Sequence, residues 1–385
     1  MLLDTSRSYN CISRRKKSLL YSSPCFILPS PILEEIIKTG TNEQKDRALN
    51  TLRISERIRG QRHILSRMQQ NLFLSSGSIQ SHRIIYDMQN HDDNSFLPGK
   101  KVREESAPDT TDKEIDNAFR NTGITFDFYK DVFKRNSVND AGAILISSVN
   151  FGTDFDNAFW DGRQMVFGNG GGGLFKRGTL TATLNVIAHE LTHGVTSNTA
   201  DLLYSGESGG LNEAISDIFG IMCEQWNNGQ TVNDSNWLIG EAIFEKGQAL
   251  RDMKGAKANP YDKSIFSYKD FKKWMNVHWT SGIANKAFYV AAKEIGGHVW
   301  EKTGKIWYIV LTQGWLSRLG PRINGTFGRS FQEAADATYT VAGQLYGEAS
   351  TEQEAVRKGW EAVDIIPKKE ERPSILEMPS FEQII

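Results

Sequence analysis

His189, Glu190 and His193 stand in the order His-Glu-Leu-Thr-His. On a helix, residues four apart share a face. Two histidines at that spacing can hold one metal ion between their rings, and the glutamate between them stays free to act as a base on a water at the metal. The same letters could arise by chance on a core-facing helix, so the surroundings matter. Leu184, Ile187 or Ala188, Leu191 and Val195 recur at helical spacing and predict a helix over Thr181–Asn198 with one buried stripe. Catalytic zinc takes three protein ligands and keeps one position open. The extended pattern with a glycine three and a histidine six residues after the second histidine fails here, because Thr196 and Thr199 occupy those places. Glu213 is the next candidate, on a second amphipathic helix marked by Leu211, Ile215, Ile218 and Met222. A glutamate on a helix is most often solvated. Placed beyond a glycine-rich turn (Gly206, Gly209, Gly210) after the two histidines, Glu213 can instead supply the third ligand from an antiparallel neighbour. Asp217, one turn later on the same face, can accept the N–H of a ligand histidine and fix its tautomer.

These helices need a scaffold. Ala143–Asn150 and Arg163–Phe167 read as strands, and Asp112–Phe119 and Ile124–Phe133 as two helices. From about residue 219 the pattern is mostly helical, over Ile283–Ile295, Lys302–Leu316, Phe331–Tyr346 and Thr351–Val363. Near the N-terminus, Pro31–Thr39 and Asn42–Met68 also read as helices. Gly168–Gly173 lacks the Lys-Ser/Thr of a phosphate loop and reads as a tight turn. The chain has 385 residues, enough for two core domains and a short extra segment. Its 39% apolar and 24% charged content is that of a globular protein. A net charge of −1 gives no reason to expect nucleic acid or an anionic membrane as a partner. No apolar run is long enough for a transmembrane helix. Arg14-Arg15-Lys16-Lys17 is followed by no signal-peptide core, which predicts a cytoplasmic pool with leaderless export, secretion being the alternative. Cys11, Cys25 and Cys223 make no disulfide framework. Cys223 reads as a buried thiol, and Cys25 either packs or caps the metal.

Several separated motifs resemble the thermolysin-like neutral metallopeptidases. They are Asn157-Ala158-Phe159-Trp160-Asp161-Gly162, Met165–Gly168, the helix with both histidines, Tyr204, Glu207–Asp217, Trp237–Glu241 and Val277–Ala287, in that family's order over roughly residues 83–365. Leu28–Glu34 resembles the proline-leucine motif of the short propeptides of the protealysin-like subgroup. The resemblance implies an α+β two-domain fold. A sheet-rich domain with the zinc helix spans 81–218 and a helical domain 219–365. They are preceded by a disordered 1–25 and a propeptide 26–80, and followed by a charged, loosely ordered tail 366–385. It implies a zinc endopeptidase and monomer, made as a proenzyme, acting on proteins or peptides and held by its own propeptide until a cut near residues 70–83. His189, His193 and Glu213 would bind one zinc ion, with Asp217 and Asn212 supporting the histidines. Glu190 would take a proton from the attacking water. His278 and Tyr204 would donate to the oxyanion. Asn157, Ala158 and Arg251 would hold substrate backbone, and Leu250 and Val186 would wall an apolar pocket just after the scissile bond.

Two departures stand out. The family's aspartate five residues before the catalytic histidine is Lys273 here, which cannot accept an imidazole N–H. Orientation of His278 must then come from Asp270 through a shifted loop, from a backbone carbonyl, or not at all. A fold that binds peptides with impaired turnover is the alternative. The family's paired calcium site aligns with Asn185, Glu224, Asn236, Leu238 and Glu241, leaving two carboxylates and room for at most one weakly held Ca²⁺.

Overall fold

The computed structural model describes residues 25–65, 80–171, 175–241, 243, 248–316 and 330–370. The chain begins with a two-residue strand β1 (Cys25–Phe26) and helices α1 (Ser30–Thr39) and α2 (Asn42–Leu65). β2 (Arg83–Asp87) and β3 (Lys100–Glu104) lead to the long helix α3 (Lys113–Phe133), then to β4 (Leu145–Phe151), β5 (Ala158–Trp160) and β6 (Met165–Gly168). The six strands form one sheet in the order β1-β5-β6-β4-β2-β3. A short α4 (Thr179–Ala182) precedes α5 (Leu184–Asn198) and α6 (Gly206–Asn227). A two-stranded ribbon of β7 (Leu238–Ile239) and β8 (Arg251–Asp252) precedes helices α7 (Val277–Ile295), α8 (Thr303–Thr312), α9 (Phe331–Tyr346) and α10 (Thr351–Glu361).

This is the expected order, a sheet region followed by a helical one, with three differences. Gly123 does not divide α3. Its missing side chain leaves room for Arg83, whose guanidinium would lie 2.0 Å from a Cβ there. Arg83 stacks on Phe119 and donates to its carbonyl at 2.9 Å, so the glycine serves packing inside a continuous helix. The zinc helix starts at Leu184, with α4 as a separate turn before it. The described part of the tail, 366–370, lies along α9: the Lys368 N–H donates to Asp336 and the Glu370 N–H to Thr340. The expected cut near 70–83, the helix end at 66–68, Cys11 and most of the two termini fall outside the described residues.

Strand alternation divides the core in two. Ala158, Trp160, Met165 and Phe167 face the main core, which also holds the apolar sides of α3, α5, α6 and α7. Phe159, Val166 and Phe151 face the other way. There they meet Phe26 of β1, Ile54 and Ile58 of α2, Met88 and Phe155 in a second apolar cluster. The N-terminal segment thus covers one face of the sheet with α2 and adds a strand at its β5 edge. Polar contacts fasten α2 at its rim: Arg47 pairs with Asp154 at 3.0 Å, and Asn50 donates to the Thr153 carbonyl at 3.0 Å.

Candidate active site and metal centre

α5 and α6 run against each other in the buried centre. Their close approach depends on Gly220, where a Cβ would come 2.7 Å from the Asn185 carbonyl oxygen. His189 and His193 project from α5, and Glu213 and Asp217 from α6. All four are essentially inaccessible to solvent. The His189 Nδ1–H donates to Asp217 at 2.9 Å, and the His193 Nδ1–H to Asn212 at 2.8 Å. Both rings therefore turn an unprotonated Nε2 inward. Those nitrogens lie 3.1 Å apart, and each is 3.5 Å from a Glu213 oxygen.

Two lone pairs facing each other cannot hydrogen-bond. Tetrahedral zinc with bonds of about 2.0–2.1 Å separates its nitrogen ligands by about 3.3 Å, close to the spacing present. Glu213 Oε2 has no hydrogen-bond donor, and burial raises this carboxyl to about 8. The three residues fit zinc, and among the described residues they are the group able to hold a metal. Cys25, though buried on β1, is not part of that group.

The supporting carboxylate is held ionised. Burial alone would raise Asp217. The charge of Arg251 and the hydrogen bond from His189 overcome that and hold it well below the usual range. Arg251 donates two bonds to it at 2.7 Å, and Asn285 donates another at 2.8 Å. Glu190 is the opposite case. Both its oxygens are buried without a hydrogen bond. Burial and then the charge of Glu213 push its pKa above the usual range.

His278 is the second residue of α7. Its ring is oriented by Asn276, which the sequence reading did not single out; Lys273 and Asp270 are both exposed. Asn276 caps α7, its Oδ1 accepting the backbone N–H of His278 at 3.0 Å. That N–H can only donate, so the atom facing it must be the amide oxygen. The same oxygen lies 2.8 Å from His278 Nδ1, which must then carry a proton. The sequence signal was available: Asn two residues before His278 is a strong N-cap residue at the start of an apolar helix. Nε2 faces the cleft, 3.3 Å from Glu213 and 3.4 Å from the Tyr204 hydroxyl. Tyr204 donates to Glu213 Oε1.

The expected substrate residues are brought together, and the chain's own N-terminal segment occupies them. β1 pairs antiparallel with β5, Cys25 opposite Trp160 and Phe26 opposite Phe159. The Ile27 N–H donates to the Ala158 carbonyl at 3.0 Å. Asn157 accepts from the Leu28 N–H at 3.0 Å and donates to the Leu28 carbonyl at 3.1 Å. Arg251 reaches the Ile27 carbonyl at 3.4 Å, and His278 Nε2 lies 2.5 Å from the Phe26 carbonyl oxygen, so with Nδ1–H on Asn276 the ring makes both bonds only as the doubly protonated imidazolium, a form that burial disfavours. Val186 and Leu250 are buried in the same apolar core as Ile27 and Leu28.

At the expected calcium position, Asn185 Oδ1 accepts the Gly240 N–H at 2.9 Å. Its NH₂ therefore points the other way, donating to Glu224 at 2.8 Å and to the Leu238 carbonyl at 3.2 Å. Asn236 likewise donates to Glu241. A side-chain donor stands where oxygens would otherwise converge on an ion, and these residues join one another directly.

Residues 51–197 match the thermolysin metallopeptidase catalytic domain, and residues 200–365 its alpha-helical domain. An extracellular metalloprotease of Pectobacterium carotovorum is 37% identical over 360 residues, covering 90% of this chain and 98% of that protein. Protease PrtS of Photorhabdus sp. is 36% identical over 371 residues, 90% of this chain and 93% of that one. A solved precursor of protealysin, a metalloproteinase from Serratia proteamaculans, superposes with a TM-score of 0.74 at 34% identity, covering 89% of this chain and 99% of that one.

Proposed function

Because this chain belongs to the thermolysin metallopeptidase family and is a zinc metalloendopeptidase, we propose that it is made as a self-inhibited precursor which, once freed, cuts peptide bonds ahead of bulky apolar residues. The observation that carries this reading is the strand Cys25–Phe26 with Ile27 and Leu28, bound on the β5 edge by the groups that would bind a substrate. Backbone hydrogen bonds to an edge strand hold any extended peptide, and the pockets select the side chains. Ile27, buried among the apolar residues that include Val186 and Leu250, supports an aliphatic residue just after the scissile bond.

The roles follow from the atoms each group offers. His189, His193 and Glu213 would hold zinc, which when bound would supply a Lewis acid and lower the pKa of water. Glu190, close by and free of hydrogen bonds, takes the water's proton and passes it to the departing amine. The His278 Nε2–H and the Tyr204 hydroxyl are the donors to the carbonyl oxygen as it gains charge. Arg251, Ala158 and Asn157 hold the peptide on the far side of the bond. The alternative of a catalytically impaired peptide binder rested on Lys273 leaving His278 without a partner; Asn276 supplies one. We expect freed protein to hydrolyse a furylacryloyl dipeptide and casein, and Glu190→Ala to lower the rate at least about 100-fold. Equal activity of the two would overturn this reading.

A further inference from the structure

We propose that the precursor presents its own Phe26–Ile27 peptide bond to the catalytic centre as a scissile bond, and that hydrolysis there is a step in its processing. This rests on the self-inhibited endopeptidase reading. It differs from the cut expected near residues 70–83, because it falls inside the inhibiting strand.

The argument is one of register. The polar backbone atoms flanking this bond each meet a group suited to a substrate. The Phe26 carbonyl oxygen lies 2.5 Å from His278 Nε2, and that nitrogen lies 3.3 Å from the ligand Glu213. On the other side of the bond, the Ile27 N–H is held by Ala158, the Ile27 carbonyl by Arg251, and both backbone groups of Leu28 by Asn157. A strand shifted by one residue would turn these side chains to the opposite faces, burying Ile27 where Phe26 now packs. The residue after the bond is an isoleucine, the class of side chain proposed for substrates.

The step is a simple hydrolysis. Oxygen from water bonds to the Phe26 carbonyl carbon, the bond from that carbon to the Ile27 nitrogen breaks, and the water's proton reaches the nitrogen by way of Glu190. The products are a Phe26 carboxylate and an Ile27 amine. β1, paired with β5 at Cys25–Trp160 and Phe26–Phe159, is then no longer covalently joined to the rest of the segment. Asn157 and the packing of α2 retain the remainder.

The test incubates zinc-loaded full-length chain, following intact mass and N-terminal sequence, while the same sample is assayed on a furylacryloyl dipeptide. The expected result is a polypeptide starting at Ile27, formed at least about 100-fold more slowly by Glu190→Ala. Formation at an equal rate in Glu190→Ala would overturn the proposal, since another protease would then be responsible. So would a sample that hydrolyses the dipeptide while the 26–27 bond stays intact in every fragment. If neither the bond nor the dipeptide is cut, the endopeptidase reading fails and this proposal falls with it.

Discussion

Asn276 shows how one atom can do two jobs at the start of a helix. Its Oδ1 accepts the helix N–H of His278 and the ring Nδ1–H of the same residue. Three substitutions separate the jobs. Asn276→Ala loses both the cap, worth about 1 kcal/mol, and the ring acceptor. Asn276→Ser keeps a cap but is too short to hold the ring, whereas Asn276→Asp keeps both. Expected, then, are a normal melting temperature but a kcat lower by on the order of 10- to 100-fold for Asn276→Ser, with little change in KM, and near-wild-type kcat for Asn276→Asp. A Ser variant with unaltered kcat would remove Asn276 from the mechanism. At this scale the sequence was most legible where covalent spacing fixes geometry. His189, His193 and Glu190 lie within one helical turn or so of each other, and Glu213 with Asp217 repeats that spacing on the partner helix. The acceptor for His278 was less legible, because a search for a carboxylate passes over a neutral amide two residues away.

Among elements, packing overrode local preference. The sequence reads as two helices, Asp112–Phe119 and Ile124–Phe133, yet α3 runs unbroken through Gly123, where the guanidinium of Arg83 fills the space a side chain would take. The contact between the start of α5 and the β7 region is made by hydrogen bonds of Asn185. A calcium-selective chelator that spares zinc should therefore leave the melting temperature unchanged. A fall of several degrees, reversed by added calcium, would show that an ion joins these elements after all. The docking of α2 against the loop after β4 carries a pH signature. Burial raises Asp156 to about 7, while its Oδ1 accepts the Gly171 N–H and its own backbone N–H donates to Thr51 of α2. A carboxyl whose folded pKa exceeds its unfolded one favours the folded state only while protonated. This contribution is thus complete below about pH 4 and is lost as pH rises toward and through about 7. Asp156→Asn should melt higher than wild type at pH 8 and alongside it at pH 4. Parallel curves at both pH values would remove Asp156 as the source.

For the whole molecule, the self-inhibition proposed for the N-terminal segment would be tied to stability. The residues that lie on the active-site edge also place Phe26, Ile54 and Ile58 over the outer face of the sheet, so release of the segment opens the cleft and uncovers Phe151, Phe155, Phe159 and Val166 together. The division into a sheet domain and a helical domain was readable from the change in hydrophobic period along the chain. The segment's path was not, because a two-residue strand has no periodicity to detect and its pairing spans more than a hundred residues of sequence. The central claim is that hydrolysis depends on one zinc ion held by His189, His193 and Glu213, with Glu190 as base. It is tested most directly by stripping the freed enzyme with a chelator and titrating zinc back while following furylacryloyl-dipeptide hydrolysis. The account predicts loss of activity on stripping, full recovery at one zinc per chain, and no recovery in Glu190→Ala. Hydrolysis that persists in the stripped protein, or returns equally in Glu190→Ala, would contradict it.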